Sequence, residues 1–438
     1  MTIISRRKFL AAAGGAALAA GLPHSRRILA ANDKVNVAVI GVGGQGKGDL
    51  RSAAHQGHNI VAICDPDWRM AGGLFDAYPK AKKWRDYREM LDKQRNIDAV
   101  VIATPDHHHA FASMAALEQG KHVYCEKPLT HSVYEAHAIA EAASSRKKLA
   151  TQMGNQGQAD NHVRVTAEIL RSGAIGPVRE IHLWTDRPIW PQGIDRPAEA
   201  QTPHEELDWD LWLGAAPDRP YNAAYHPFKW RGWWDFGTGA LGDMGCHMFY
   251  PVFYALELGQ PLSVEGASAP FNSETYPLNS TVKYEFPARG EWPACTLTWY
   301  DGGNKPPRPA GLPDGENFAP TGMYYAGDKG VLFRGDHSDE KPDRILLPSG
   351  EVKDYAPPAP TLERSPGHWQ EWFSAITGDA KTGANFQMAG RVTESVLIGN
   401  AAIKAGKKLE WDPTGLTFKN APDAAQFLTR EYRKGWKI

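Results

Sequence analysis

The chain has 438 residues and a formal net charge of −1 with histidine neutral, so no cationic surplus marks it for nucleic acid. Its length exceeds one ordinary domain and predicts two or three. Four cysteines, Cys64, Cys125, Cys246 and Cys295, show no C-x-x-C pair and no metal-ligand spacing, so neither a required disulfide nor a metal is expected.

Ser5-Arg6-Arg7-Lys8-Phe9-Leu10 precedes a weakly apolar, Ala- and Gly-rich run, Ala11–Leu22, then Arg26, Arg27 and Ile28–Ala31. That is the order of an export signal, too short to span a bilayer as a mature helix. The paired arginines followed by Phe-Leu resemble a twin-arginine leader, cut near Ala30 or Ala31. Residues 1–31 are therefore set apart from the fold, and a periplasmic or otherwise exported location is expected. With no cysteine near the cut, no membrane anchor is expected.

Val35, Val37, Val39 and Ile40 make a β-branched run that ends in Gly41-Val-Gly43-Gly44-Gln45-Gly46. This is a G-x-G-x-x-G turn directly after a strand. Gly41 permits the tight turn, Gly43 lets backbone approach a pyrophosphate, and Gly46 lets the next helix pack closely. The helix that follows presents free N–H groups and its positive dipole end to the anion. A second strand, Asn59–Cys64, ends in Asp65, placed to accept from the ribose hydroxyls. A carboxylate there repels a 2′-phosphate, which favours NAD over NADP.

Further along, Met70–Tyr78 reads as a helix, Asp98–Thr104 as a buried parallel strand, and a helix follows to Gln119. Lys121–Cys125 and Leu149–Gly154 read as strands around a helix over Ser132–Ser145. Strands alternating with helices predict a doubly wound parallel sheet of Rossmann type, spanning residues 34–155. After it the rhythm changes. A helix over His162–Ser172 and a strand over Pro177–Thr185 precede a long aromatic loop. Leu262–Ala269, Ser280–Phe286, Ala294–Tyr300, Gly322–Tyr325 and Gly330–Arg334 alternate like antiparallel strands. Trp369–Thr377 and Ala389–Ala405 read as helices. Residues 156–438 are thus expected to form an α+β domain with a large, open, mainly antiparallel sheet, the α/β fold class overall. Such sheets commonly pair face to face, so a homo-oligomer, dimer or tetramer, is expected.

Thr104-Pro105 before His107-His108-His109, and Glu126-Lys127-Pro128 at a strand end, resemble the Gfo/Idh/MocA oxidoreductases together with the dinucleotide motif. The resemblance implies that Lys127 lies beside the nicotinamide and the reacting hydroxyl, with Glu126, Thr104, Pro105, His107 and Asn155 in the cofactor site. Independently, a cation at a strand's carboxyl end can stabilise a developing alkoxide. In Gly237–Tyr250, Asp243 and His247 stand four residues apart, so on a helix they share a face. Asp243 is expected in the first turn, orienting either His247 or a substrate hydroxyl. A histidine beside a carboxylate makes a general base, and the pair is similar to the family's Asp-x-x-x-His signature. The three adjacent histidines cannot all face one ion, and His109 is expected to face the core.

Asp186–Phe236 is rich in Trp and Pro, and aromatic faces beside Arg and Asp suit a carbohydrate. Arg187, Tyr225, His226, Lys229 and Arg231 are pocket candidates, whereas Trp209 and Trp212 are assigned to packing. These residues point to an exported NAD-dependent oxidoreductase of a sugar, polyol or glycoside, its cofactor tightly bound. One alternative keeps the residues but uses transient oxidation for glycoside cleavage, epimerisation or elimination. Another is a non-catalytic sugar-binding protein on the same fold.

Overall fold

The computed structural model describes residues 34–334, 342–378 and 380–438; the leader, with Arg6 and Arg7, lies outside them. Six strands, β1 (Asn36–Ile40), β2 (Asn59–Cys64), β3 (Lys82–Trp84), β4 (Ala99–Ile102), β5 (His122–Glu126) and β6 (Thr151–Gly154), form one sheet. They pair in parallel in the order β3-β2-β1-β4-β5-β6. Helices α1 (Gln45–His55), α2 (Leu74–Ala77), α3 (Tyr87–Lys93), α4 (Asp106–Glu118) and α5 (Val133–Ser144) connect them. All four residues of β4 are buried, as a strand covered on both faces requires.

Strand order reverses between β1 and β4, whose carboxyl ends lie side by side. Loops leaving such a point diverge and open a crevice. The expected helix over Met70–Tyr78 shrinks to the four residues of α2, because Gly72-Gly73 interrupts it and Gly73 takes φ +75°. The three-residue β3 was not anticipated; it is an edge strand bearing exposed Lys82 and Lys83. Helix α5 begins at a capping box. The Ser132 hydroxyl accepts from the Glu135 N–H, and the Glu135 carboxylate accepts from the Ser132 N–H.

The second sheet has ten strands: β7 (Val178–Trp184), β8 (Ser263–Ser268), β9 (Ser280–Phe286), β10 (Cys295–Tyr300), β11 (Gly322–Gly327), β12 (Val331–Arg334), β13 (Arg344–Leu347), β14 (Gly350–Glu351), β15 (Leu409–Asp412) and β16 (Thr417–Phe418). Their order is β14-β13-β12-β11-β7-β10-β9-β8-β15-β16. The β7–β10 pair is parallel and the other pairs are antiparallel. The helices of this region are α6 (Asn161–Arg171), α7 (Trp209–Leu213), α8 (Gly239–Leu256), α9 (His368–Thr377) and α10 (Phe386–Ala405). Helix α10 packs on α8, on β8 and on α5 of the first sheet, so it fixes one domain to the other. Helix α9 also returns to the first sheet, where Trp369 stacks on Tyr124 with ring centroids 4.3 Å apart. All four cysteines are buried and unbridged.

Candidate active site

A cleft of about 580 Å³ follows the carboxyl ends of β1, β2, β4 and β5 to the start of α8. At its floor is the glycine turn. Gly41 takes φ +80°, and a Cβ there would strike the Ala103 backbone; one on Gly46 would collide with the Gly41 carbonyl. A Cβ on Gly44 would meet nothing within 4 Å, and one on Gly43 only the Met70 side chain. The turn is thus a cradle open toward the cleft, at the end of α1, whose first turn carries no acidic residue. A diphosphate fits there, against N–H groups and an uncontested dipole. Asp65 holds the turn: its carboxylate accepts from Val42 N–H and Asp67 N–H, both at 2.8 Å. Burial pushes that carboxyl up to about 6, against the pull of the two donors. Asp65 also lines the cleft beside the turn.

Toward the other end, Lys127 follows β5 and reaches across to α8. Its ammonium donates to Asp243 Oδ1 at 2.9 Å and to the Asp243 carbonyl at 2.8 Å. Burial works against that charge, but the Asp243 carboxylate outweighs it and raises the Lys127 pKa above the ordinary lysine value. Burial likewise opposes the Asp243 charge, yet Lys127 and Arg231 together bring its carboxyl down to about 2. Arg231 Nε donates to the same Oδ1 at 3.3 Å. One helical turn on, His247 Nδ1 lies 2.9 Å from Asn155 Oδ1. The Asn155 amide nitrogen donates to the Cys246 carbonyl at 3.0 Å, which turns its oxygen toward the ring. Nδ1 therefore carries the proton and Nε2 is the basic nitrogen.

Beside these groups sits Asp106, the first residue of α4, buried and lining the same stretch. Its Oδ2 accepts from the Thr238 hydroxyl at 2.6 Å. Burial pushes this carboxyl up to about 7, although Thr238, Arg231 and Lys127 all favour its charge. Glu126 is buried between the Tyr124 hydroxyl and Gln156, whose amide donates to it at 2.8 Å.

Two family models cover most of the chain. One, an oxidoreductase family domain with an NAD-binding Rossmann fold, matches residues 35–154; the other, that family's C-terminal alpha/beta domain, matches residues 184–438. The chain belongs to the Gfo/Idh/MocA oxidoreductase family. Its similarity to curated members is partial. It is 31% identical over 182 residues to inositol 2-dehydrogenase 3 of Saccharopolyspora erythraea, covering 41% of this chain and 53% of that one. It is 30% identical over 154 residues to a glycosyl hydrolase family 109 protein of Shewanella pealeana, 33% of each chain. The chain matches about half the length of the inositol 2-dehydrogenases it resembles. Among solved structures it shares its fold with the aldose-aldose oxidoreductase of Caulobacter crescentus. That match has a TM-score of 0.59 at 16% identity and covers 86% of this chain and 100% of the other. The WlbA dehydrogenase of Bordetella pertussis, crystallised with NADH and UDP-GlcNAcA, gives 0.61 at 15%, covering 87% and 99%.

Of the residues expected in this family site, Gly41, Gly43, Gly44, Gln45, Asp65, Thr104, Pro105, Glu126, Lys127, His226, Arg231, Asp243 and His247 line the cleft. Others lie elsewhere. His107 is fully buried, its ring nitrogens against the Phe236 and Trp212 carbonyls, so it packs the domain junction instead of touching a ribose. Asn155 is buried outside the cleft lining and meets His247. Asp243 stands in the second turn of α8, not the first, and holds Lys127 and Arg231 while Asn155 orients the histidine. Tyr225 belongs to an aromatic cluster with Trp212, Trp233 and Phe236. Arg187 pairs with Asp186, and Lys229 is exposed; neither reaches the cleft. His226 Nε2 spans to Asp67 Oδ2 at 2.8 Å, linking the two domains. His109 bonds the Pro128 and Thr104 carbonyls, in the interior.

The Trp-rich loop is mostly a core. It has little secondary structure, so buried rings hold it, and some of their indole N–H groups reach backbone carbonyls, as Trp209 does at Arg219 and Trp233 at Ala224. At the cleft itself stand Phe228 and Trp230, with the Arg231 guanidinium 4.3 Å over the Trp230 ring. Sequence reasoning missed Asp106, Gln156 and Trp436. Asp106 follows the Thr104-Pro105 strand end directly, a position that could have flagged it. Trp436 comes from the far end of the chain and carried no signal.

Proposed function

We propose that this family member is an exported, NAD-dependent oxidoreductase that oxidises a carbinol carbon of a sugar, polyol or glycoside. The observation that carries this reading is the convergence of Lys127, Asp243 and an Asn155-held His247 beside the open glycine cradle. The dinucleotide, when bound, supplies the hydride acceptor. His247 Nε2 takes the proton of the reacting hydroxyl. Lys127 donates to that oxygen and stabilises the alkoxide as charge develops on it. Asp243 keeps Lys127 charged and aimed, and Arg231 bonds a neighbouring hydroxyl. The cradle, Asp65 and Glu126 hold the cofactor.

The test is to incubate the purified protein with neutral sugars, polyols and glycosides, following nicotinamide absorbance and product mass together. A carbonyl product with stoichiometric reduction of the dinucleotide is expected. Binding without any chemical change across the panel would favour a sugar-binding protein instead.

A second reading is favoured by Asp106. A carboxyl that exchanges its proton near neutrality, beside a hydroxyl-oxidising site, suits epimerisation, elimination or glycoside cleavage through transient oxidation. The partial likeness to a glycosyl hydrolase family 109 protein supports it. Export by a twin-arginine route, which moves folded proteins, fits an enzyme that must leave with its dinucleotide already bound. A crevice that keeps its dinucleotide removes exchange with a free pool, so a second sugar, or return of the hydride to the same molecule, completes the turnover. Denaturing protein purified without added NAD should release about one equivalent of dinucleotide per chain; an empty, freely exchanging protein overturns the captive cofactor. The open ten-stranded sheet supports a dimer or tetramer, read by sedimentation.

A further inference from the structure

Cations and carboxyls crowd together at the reacting end of the cleft. The cations are Lys127, after β5, and Arg231, in the turn before α8. Asp243 lies between them, 2.9 Å from one and 3.3 Å from the other. Asp106 faces the same two cations and Asp243 from the start of α4. Glu126 adjoins Lys127 as a further buried acid. Among the described residues, no cation there lacks a carboxyl opposite it.

Asp106 is also built to receive something. Its Oδ2 is taken by the Thr238 hydroxyl, and among the described residues its Oδ1 meets no hydrogen-bond donor while the side chain lines the cleft. We propose that Asp106 is a specificity-determining residue that fits the cleft to an uncharged sugar or polyol and sets it against the corresponding uronic acid. This inference rests on the polyol-oxidising reading of the site.

The physical reason is one of pairing. A hydroxyl donates to Asp106 Oδ1 and accepts from Lys127 or Arg231, so both sides of the contact are satisfied. A carboxylate in the same place has no proton to donate to Asp106 Oδ1, meets cations whose charge Asp243 already balances, and adds a like charge beside Asp106 and Asp243. Discrimination of this kind arises from a repulsive element as much as from an attractive one. Because burial raises the Asp106 carboxyl to about 7, its charge and the exclusion grow as pH rises through that value. At lower pH Asp106 holds a proton, donates it, and tolerates an acidic ligand better. The groups facing it that set this balance are Thr238, Arg231, Lys127 and Asp243.

The experiment measures binding of matched probes to the dinucleotide-loaded full chain by calorimetry: D-glucose against D-glucuronate, and D-galactose against D-galacturonate. At about pH 8.5, where a carboxyl titrating near neutrality is ionised, the neutral member should bind about tenfold tighter or more. Asp106→Asn keeps the shape and removes the charge, so the ratio should narrow by about tenfold while dinucleotide affinity stays put. Thr238→Val is the second variant. It withdraws the donor that favours the charged form, so the ratio measured near neutrality should narrow there too, with less effect at high pH. Uronates binding as tightly as neutral sugars to the unaltered protein, or a ratio indifferent to both substitutions, overturns the inference. If neither member of either pair binds, the polyol reading itself fails, and the inference falls with it.

Discussion

His247 and Asn155 meet at 2.9 Å, Nδ1 to Oδ1, across the boundary between the two domains. The asparagine is buried and pinned by its second bond, to the Cys246 carbonyl, so it fixes both the ring plane and the tautomer. Asn155→Ala should therefore lower kcat by about 10²-fold, the cost of misplacing a reacting group by roughly an ångström. KM and dinucleotide retention should hardly move. Unchanged kcat in that variant means the histidine is held by something else or is not the base.

Removing the proposed base itself should have the larger effect. His247→Ala should lower kcat by about 10²- to 10⁴-fold, the usual worth of a positioned acid–base group. Lys127→Ala should lower kcat and kcat/KM together, because its hydrogen bond strengthens as the alkoxide forms. A rise in KM alone would make Lys127 a binding contact only.

The parts of the site that were legible in the sequence are those built from neighbouring residues. The glycine turn, the acid after β2, Glu126-Lys127-Pro128 and the Asp243/His247 spacing each state their geometry within a few positions. What was not legible depends on distant partners. Asn155 looks like a strand-end residue of a cofactor site until α8 is packed against it. Asp106 looks like an ordinary first-turn acid until Thr238 and Arg231 are brought to it. The Trp-rich loop misled for the opposite reason. Its composition suits a sugar platform, but a long loop needs a core of its own, and Tyr225 and most of the tryptophans are spent there. For the fold, the long apolar strands were plain, whereas β3 and β13–β16 have two to four residues, too few to show a period.

The Lys127–Asp243 pair also bears on stability. Burial alone would raise the Asp243 carboxyl, but Lys127 and Arg231 bring it to about 2, below its unfolded value. Such a group contributes stability that is present above the unfolded pKa and lost as pH falls through the folded one. About 2 kcal/mol should thus disappear between about pH 4 and pH 2. Asp243→Asn removes the carboxylate that both Lys127 and Arg231 bond and should cost about 3 kcal/mol at neutral pH. Urea unfolding at neutral pH and at about pH 3 checks both, since the gap between the two proteins should narrow in acid. An equal gap at both pH values would show that the pair does not set the titration.

Asp65 lines the cleft beside the glycine turn, and with the adenosine ribose bound there a 2′-phosphate would bring a like charge against it. The unaltered protein should prefer NAD over NADP by about tenfold or more, and Asp65→Ser should narrow that preference. Titration of both dinucleotides by Trp fluorescence reads it directly. Equal affinity of the unaltered protein for the two removes Asp65 from the selection.

The central claim is that a carbinol carbon of a neutral sugar or polyol gives up its hydride in this cleft while His247 removes the hydroxyl proton. The most direct measurement uses a sugar that the protein transforms, deuterated at the carbon to be oxidised, with rapid quenching and mass analysis of the dinucleotide. The account predicts deuterium on the reduced nicotinamide ring in the first turnover, and loss of that transfer in His247→Ala. Turnover of the sugar with no deuterium ever reaching the dinucleotide would contradict it.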